Sequence, residues 1–232
     1  MCSLPEAFSL GGATGMPWPS QSRLLVCYVT DRRALGLDEP QAAARILQTI
    51  ARAADAGADA VQLREKDLSG RSLLEWTESA LARAGNSKIL VNDRLDTALA
   101  AGAAGVHLGG ASLPVAEVVQ FCRAGRAPAG FLIGRSCHAV EEALRAERDG
   151  ADYVFFGPVF ATPSKARFGP PQGVDALAAV CHRVRIPVLA IGGITLENAG
   201  ACRAAGAAGI AAIRLFQDSE DVAATVRSLK QA

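Results

Sequence analysis

Eight short apolar runs alternating with helix-patterned stretches, a Gly-Ala junction that occurs four times, and a length of 232 residues together predict an α/β chain folded as a single closed (β/α)8 TIM barrel. The junction reads Gly57-Ala58-Asp59-Ala60-Val61, Gly102-Ala103-Ala104-Gly105-Val106, Gly150-Ala151-Asp152-Tyr153-Val154 and Gly206-Ala207-Ala208-Gly209-Ile210. Each copy is a helix-ending glycine, a tight turn and a β-branched strand entry, and the copies recur roughly every 45–55 residues, two βα units apart. They mark strands two, four, six and eight. Strands apolar throughout imply a parallel sheet covered on one face by helices. A doubly wound open sheet is the alternative.

Residues 1–22 hold Gly, Pro and Ser but no basic lead and no long apolar core, so they read as a flexible, disordered tail, with 23–232 forming the barrel. Leu24 to Thr30 is an apolar run of strand length ending at Asp31. Glu39 to Ala56 follows with apolar residues at helical spacing, and Gly57 stops it. Ala60-Val61-Gln62-Leu63-Arg64 is the second strand, and Ser69 caps a helix running to about Ala84. Lys88-Ile89-Leu90-Val91 is the third, leading through Asn92-Asp93 to a short helix from Leu95 to Ala101. Val106-His107-Leu108 is the fourth, with a helix beginning near Pro114. Phe131-Leu132-Ile133-Gly134 is the fifth, followed by a helix from Val140 to Arg148. Tyr153-Val154-Phe155-Phe156 is the sixth and runs through Gly157-Pro158 into a loop carrying Thr162, Ser164 and Lys165. Val188-Leu189-Ala190-Ile191 and Ile210-Ala211-Ala212-Ile213 complete the set.

Half the residues are hydrophobic but only 5% are aromatic, so the core must be built from Ala, Val, Leu and Ile. Lys plus Arg is 24 and Asp plus Glu 23, a balance that argues against nucleic acid as partner and requires any anion site to be local. No apolar run is long enough to span a membrane. Six cysteines, at 2, 27, 122, 137, 181 and 202, show no zinc or C-x-x-C spacing and lie mostly in apolar runs, which suits a reducing, cytoplasmic setting. A homodimer is common for compact barrels, and nothing in the sequence demonstrates one.

A barrel of this kind places its chemistry at the C-terminal ends of its strands. Gln62, Arg64 and Lys66 end strand two, Asn92 and Asp93 end strand three, Ser136 and His138 follow strand five, and Gly192-Gly193 end strand seven. Thr162, Ser164 and Lys165 offer two hydroxyls and an ammonium to a phosphate, or form an ordinary polar loop. Arg64 and Lys66 add two positive charges for a phosphate or diphosphate, or make a surface cluster with Glu65 and Asp67. Asp93 beside Asn92 fits a Mg2+ ligand, or an N-cap for the helix after it. Gly192-Gly193-Ile194 can bring backbone N–H groups close to a phosphate. His138 is a candidate acid/base, His107 reads as a satisfied core residue, and His182 lies on a helix surface.

Taken together these residues resemble the thiamine phosphate synthase family and its sister group, the thiazole tautomerases. The similarity runs from about Leu25 to the C-terminus. It is carried by Gln62-Leu63-Arg64-Glu65-Lys66, Asn92-Asp93, Gly105-Val106-His107-Leu108-Gly109, Gly157-Pro158-Val159-Phe160 with Thr162 and Lys165, and Ala190-Ile191-Gly192-Gly193-Ile194. The resemblance implies a transferase in thiamine biosynthesis that joins hydroxymethylpyrimidine diphosphate to thiazole phosphate with release of pyrophosphate. It further implies Arg64, Lys66, Lys165 and Mg2+ on Asp93 around the departing diphosphate. Gln62, Asn92 and Ser136 would hold the pyrimidine, while Thr162, Ser164 and Gly193 line the thiazole phosphate side.

Two positions depart from the family pattern. A second acidic metal ligand is expected two residues after a Gln that should follow Gly109, and here the stretch reads Gly110-Ala111-Ser112. Strand eight usually ends in Ile-Ser, where this chain has Ile213-Arg214; Arg214 either binds the thiazole phosphate or obstructs the pocket. A tautomerase resembles the chain around Gly134-Arg135-Ser136-Cys137-His138 and would need only a phosphate anchor and an acid/base such as His138. The complete Gln62-to-Lys66 and Asn92-Asp93 sets favour the synthase. A non-catalytic thiamine or thiazole phosphate-binding regulator is the third reading.

Overall fold

The computed structural model describes residues 23–162 and 170–232. The tail expected over 1–22, and Ser164 and Lys165, lie outside the described residues. Strands β1 (Leu25–Val29), β2 (Ala60–Leu63), β3 (Lys88–Asn92), β4 (Gly105–Leu108), β5 (Leu132–Cys137), β6 (Tyr153–Phe156), β7 (Val188–Ile191) and β8 (Gly209–Ala212) pair in sequence order and in parallel. Pairing of Leu25 with Gly209 and of Tyr28 with Ala212 joins β8 to β1 and closes the barrel. Around it run α1 (Glu39–Asp55), α2 (Gly70–Leu81), α3 (Leu95–Ala100), α4 (Val115–Phe121), α5 (Val140–Arg148), α6 (Gly173–Arg183), α7 (Leu196–Ala204), α8 (Arg214–Gln217) and α9 (Val222–Gln231). None of the described helices is long and apolar enough to cross a membrane.

The repeated junction is one hydrogen-bonded device used four times. Gly57, Gly102, Gly150 and Gly206 adopt φ of 90°, 71°, 93° and 95°, a left-handed conformation that a side chain would strain. In each copy the next residue donates its N–H to the carbonyl five residues back: Ala58 to Ala53, Ala103 to Ala98, Ala151 to Ala146 and Ala207 to Cys202, at 2.9–3.1 Å. This satisfies orphan carbonyls at the helix end and aims the chain into the next strand. In two copies an Asp follows, and its carboxylate takes the second N–H of a neighbouring strand: Asp59 accepts from Val26 at 2.8 Å and Asp152 from Ile133 at 2.7 Å. Asp59 also binds Lys230 of α9, tying the last helix to the barrel floor.

Helices seal the outside by ordinary amphipathic logic. In α1, Asp38 accepts from the Gln41 N–H at 2.9 Å and Pro40 occupies the first turn, while Ile46, Ile50 and Ala53 share the buried face. Each such Ile contributes about 1.5–3 kcal/mol of burial.

Inside the barrel, large and small residues interlock. The odd strands contribute Leu25, Leu90, Leu132 and Leu189 to the lower interior. Gly105 and Gly209 on even strands make room for them: a Cβ on Gly105 would stand 2.7 Å from the Leu132 Cβ, and one on Gly209 2.6 Å from the Leu25 Cβ. Above this floor Gln62, Asn92, His107 and Ser136 turn inward from β2, β3, β4 and β5, because every second residue of a strand faces the same side. The fifth strand extends to Cys137, beyond the Gly134 expected, so Ser136 is a strand residue paired with Phe155 and not part of the following loop. Arg135 and Ser136 interrupt the apolar run in sequence; Ser136 faces the polar side of the interior, and Arg135, on the other face of the strand, reaches the Gly109 carbonyl. The eighth strand ends at Ala212, and Ile213 turns the chain into α8.

Candidate active site

A continuous line of side-chain hydrogen bonds climbs from the barrel interior to its C-terminal rim. Buried Gln62 donates to Asn92 Oδ1 at 2.9 Å, and Asn92 Nδ2 donates to Asp93 Oδ2 at 2.6 Å. Asp93 Oδ1 accepts from the Gly109 N–H at 2.9 Å and from the Ser112 hydroxyl. Burial opposes the charge on Asp93, but Ser112, Gly109, Lys66 and Asn92 outweigh it and hold the carboxyl below its ordinary range. Asp93 is also the one described non-glycine residue with positive φ, at 63°. Left-handed backbone costs a residue with a side chain about 1–2 kcal/mol, and it turns this carboxylate over the barrel mouth. Asp93 therefore does not cap the helix that follows; the N-cap position of α3 is Arg94.

The four charges Arg64-Glu65-Lys66-Asp67 are sorted by a residue from β1's side of the barrel. Buried Arg32 reaches Glu65 at 3.1 Å, Asp67 at 2.6 and 2.7 Å, and Glu39 at 2.8 Å. The Thr30 hydroxyl donates to Glu65 at 2.6 Å and accepts from the Arg64 N–H at 3.0 Å, so Glu65 anchors the end of β2. With both acids engaged by Arg32, the surface-cluster alternative for Arg64 and Lys66 loses its partners. Arg64 keeps only a 3.9 Å approach to Asp31, and Lys66 makes no ion pair among the described residues. Gln217 of α8 holds the backbone of Asp31 in place, accepting from its N–H at 3.0 Å and donating to its carbonyl at 2.9 Å.

Below the rim, His107 Nε2 lies 2.9 Å from Ser136 Oγ and its Nδ1 3.1 Å from Tyr153 Oη. Burial pushes the imidazole down to about 3, against the pull of Asp93, so it is neutral. Gly134 leaves space for the Tyr153 ring, since a Cβ there would sit 2.1 Å from Tyr153 Cζ. Arg135 donates to the Gly109 carbonyl at 2.5 Å and steadies the loop that faces Asp93. Cys137 points away from the interior, fully buried, and burial raises its thiol to about 12, an inert setting. His138 is exposed at the start of α5, with Nδ1 against the Gly157 carbonyl and its N–H donated to Glu142 at 2.7 Å. His182 is on the exposed face of α6, as expected.

The opposite wall differs. Val29, Ile191, Ala211 and Ile213 make the β1, β7 and β8 side apolar. Gly192 and Gly193 have φ of 96° and 66°, but what a Cβ would strike is the loop after β6: Pro158 Cα at 2.6 Å from position 192 and the Ala161 carbonyl at 2.5 Å from position 193. These glycines first of all let two rim loops of the protein approach each other. Arg214 stands exposed at the start of α8, without an ion pair among the described residues, and Thr162 closes the described part of the β6 loop.

Gln62, Arg64, Lys66, Asn92, Asp93 and Ser136 thus cluster on one arc of the mouth, and Gly193, Ile213 and Arg214 on the other. Sequence reading assigned no role to Arg32, Tyr153, Arg135 or Gln217, which hold the neighbours of site residues: Glu65 and Asp67, His107, Gly109, and Asp31 respectively. An alignment of the model for the family described as thiamine monophosphate synthase covers residues 26–216 of this chain. The chain belongs to that family. Its relatives include the thiamine-phosphate synthase of Methanocella arvoryzae, 50% identical over 78% of this chain and 84% of that one, and that of Chlorobium luteolum, 42% identical over 88% and 91%. Among solved structures, the thiamine phosphate pyrophosphorylase of Pyrococcus furiosus superposes with a TM-score of 0.75 at 33% identity, covering 90% of this chain and 94% of its own. The family match runs from β1 through β8, so it takes in the strands that carry the polar arc.

Proposed function

We propose that the chain is a thiamine phosphate synthase, a transferase that joins hydroxymethylpyrimidine diphosphate to thiazole phosphate and releases pyrophosphate. The observation that carries this reading is the Gln62–Asn92–Asp93 line, with neutral amides deep in the barrel and a carboxylate at the rim between Lys66 and Ser112. Neutral amides suit a heteroaromatic ring that both donates and accepts hydrogen bonds; the charged end suits a diphosphate. The apolar wall of Val29, Ile191, Ala211 and Ile213 suits the second, less polar ring.

In this reading the bond between the pyrimidine methylene and the diphosphate oxygen breaks with its electron pair going to the diphosphate. The amino-substituted pyrimidine spreads the positive charge left on the methylene, and the thiazole nitrogen lone pair forms the new C–N bond. No protein nucleophile is required. Arg64 and Lys66 stabilise charge developing on the leaving group, joined by Lys165. Gln62, Asn92 and Ser136 orient the pyrimidine; Thr162, Ser164, Gly193, Ile213 and Arg214 take the thiazole phosphate.

Asp93 fits one hard-oxygen ligand of a Mg2+ ion, being held ionised beside the rim. When bound, Mg2+ would neutralise charge on the diphosphate. Among the described residues no three His, Cys, Asp or Glu side chains gather to hold a metal, so the remaining ligands would be diphosphate oxygens and water. A cytoplasmic setting with small phosphorylated substrates, and without nucleic acid or membrane, is supported by the balanced charge and by five free cysteines among the described residues.

The test is product formation from the two substrates with and without Mg2+. Metal-dependent thiamine phosphate is expected, lost in Asp93→Asn and Lys66→Ala. Binding of thiazole phosphate without product would refute the synthase. Isomerisation of thiazole carboxylate phosphate, lost in His138→Ala, would then identify a tautomerase; no turnover would identify a binding protein.

A further inference from the structure

The hydrogen-bonded row Tyr153–His107–Ser136 lies directly beneath the polar arc, and the assigned chemistry leaves two of its members without a role. His107 is 1% exposed, its ring is 4.2 Å from Phe155 centroid to centroid at 34°, and among the described residues no carboxylate hydrogen-bonds its nitrogens. A neutral imidazole carries one N–H and one lone pair, so its two hydroxyl partners must take opposite parts. If Nε2–H donates to Ser136, the serine proton is free to point at a ligand and Ser136 is a donor. If Nδ1–H donates to Tyr153, Nε2 is bare, Ser136 donates its proton down to it, and only serine lone pairs face the ligand. The tautomer of a buried histidine therefore sets the polarity of a serine in the pocket.

We propose that His107 is a positioning residue that, with its proton held on Nδ1 by Tyr153, makes Ser136 a hydrogen-bond acceptor for the amino group of the pyrimidine substrate. The inference rests on the pyrimidine diphosphate reading above. As the methylene–oxygen bond breaks, positive charge spreads into the ring and its amino group, whose N–H becomes a stronger donor. An acceptor placed there binds the transition state better than the ground state, whereas a donor to the same ring would withdraw electron density and oppose ionisation. Neutrality matters equally, since an imidazolium at this depth would repel the forming cation. The complete burial of His107 and its two hydroxyl partners keep it uncharged without a carboxylate that would fix the opposite proton arrangement. Gly134 belongs to the device because it admits the Tyr153 ring.

The first measurement uses unmodified protein. The chain has three histidines, so 15N NMR of the labelled wild type, with His138→Ala and His182→Ala for assignment, reads the His107 tautomer. A protonated Nδ1 and bare Nε2 are expected; a protonated Nε2 overturns the proposal. Kinetics follow. His107→Leu is expected to lower kcat on the order of 100-fold with KM for the pyrimidine diphosphate within about twofold, because the lost interaction strengthens only in the transition state. His107→Gln, whose amide oxygen can still accept from Ser136, should recover about tenfold of that loss. Tyr153→Phe should move the proton to Nε2 and lower kcat about tenfold, a change that circular dichroism and Tm would separate from misfolding. A flipped tautomer with unchanged kcat, or a loss in His107→Leu confined to KM, overturns the inference while leaving the synthase intact. Absence of thiamine phosphate from wild type would overturn the synthase reading itself.

Discussion

Removing Arg32 should unfold the rim before it touches the chemistry. Of its three carboxylate partners, Glu39 has a side chain 68% exposed and contributes little, as solvent screens it. Asp67 is 27% exposed and intermediate. Glu65 is 1% exposed, so in Arg32→Met its charge would stand buried with only the Thr30 hydroxyl and backbone donors for company. Breaking a buried pair in this way costs about 3–5 kcal/mol, which for a chain of this size lowers Tm by roughly 6–20 °C. The pH dependence has a definite sign. Burial already holds Glu65 above its ordinary value of 4.5, opposed by Thr30 and Arg32, and deleting Arg32 raises it further. Below that ordinary value Glu65 is protonated folded and unfolded, and the penalty is small. As pH rises through the raised folded value, the unfolded chain ionises and the folded one resists, so stability is lost. Asp67 acts in the same direction, because the Arg32 hydrogen bonds that hold it near 2 stabilise the wild type only where Asp67 is ionised. Thermal denaturation from pH 4 to 8 should show the gap between wild type and Arg32→Met widening with pH, and Arg32→Met/Glu65→Gln should recover much of it. A loss below about 1 kcal/mol, or a gap that does not change with pH, would refute the assignment of a buried charge anchor at Glu65.

Three further outcomes are expected. Ser112→Asp sets a second carboxylate against Asp93 and should raise Mg2+ affinity in the absence of diphosphate by about tenfold or more, measured by titration calorimetry or Mn2+ paramagnetic resonance; unchanged affinity would count against Asp93 as a metal ligand. Tyr28 Oη is buried against Phe216 without a hydrogen-bond partner among the described residues, so Tyr28→Phe should leave stability unchanged or raise it by up to about 1 kcal/mol in denaturant unfolding, and a clear loss would reveal a partner for the hydroxyl. Gly134→Ala drives a methyl into the Tyr153 ring and should cost about 1–3 kcal/mol together with a fall in kcat; full activity would mean that Tyr153 does not depend on that space.

The barrel was legible because its signals are local. Each strand is an apolar run, the long helix α1 has a 3.6-residue stripe, and the four Gly junctions repeat the same short hydrogen-bond pattern. Residues at strand ends were legible for the same reason: a polar side chain following an apolar strand lies at the rim wherever the strand is placed. What stayed hidden depends on neighbours far apart in sequence. Glu65 and Asp67 look like partners for Arg64 and Lys66 until Arg32 arrives from 33 and 35 residues away. His107 reads as a core residue and is one, yet its importance lies in Ser136 and Tyr153, supplied by two other strands. The glycines at 192 and 193 announce a close approach without saying that the nearest atoms belong to Pro158 and Ala161. Strand five was misjudged in length because Arg135 and Ser136 look like loop residues, although β6 continues to pair with them.

The lower interior of the barrel constrains how the chain can drift. Leu25 is seated over Gly209 and Leu132 over Gly105. Enlarging either glycine alone pushes a methyl into a leucine and the adjoining backbone carbonyl; shrinking either leucine alone leaves a void that the rigid strands cannot close. Shortening the leucine does not open the glycine to a side chain either, because the Leu132 and Leu25 carbonyls and Cβ atoms that crowd positions 105 and 209 stay in place. Both glycines are thus fixed by main chain, and the polar arc stands on a floor whose width these two positions cannot alter.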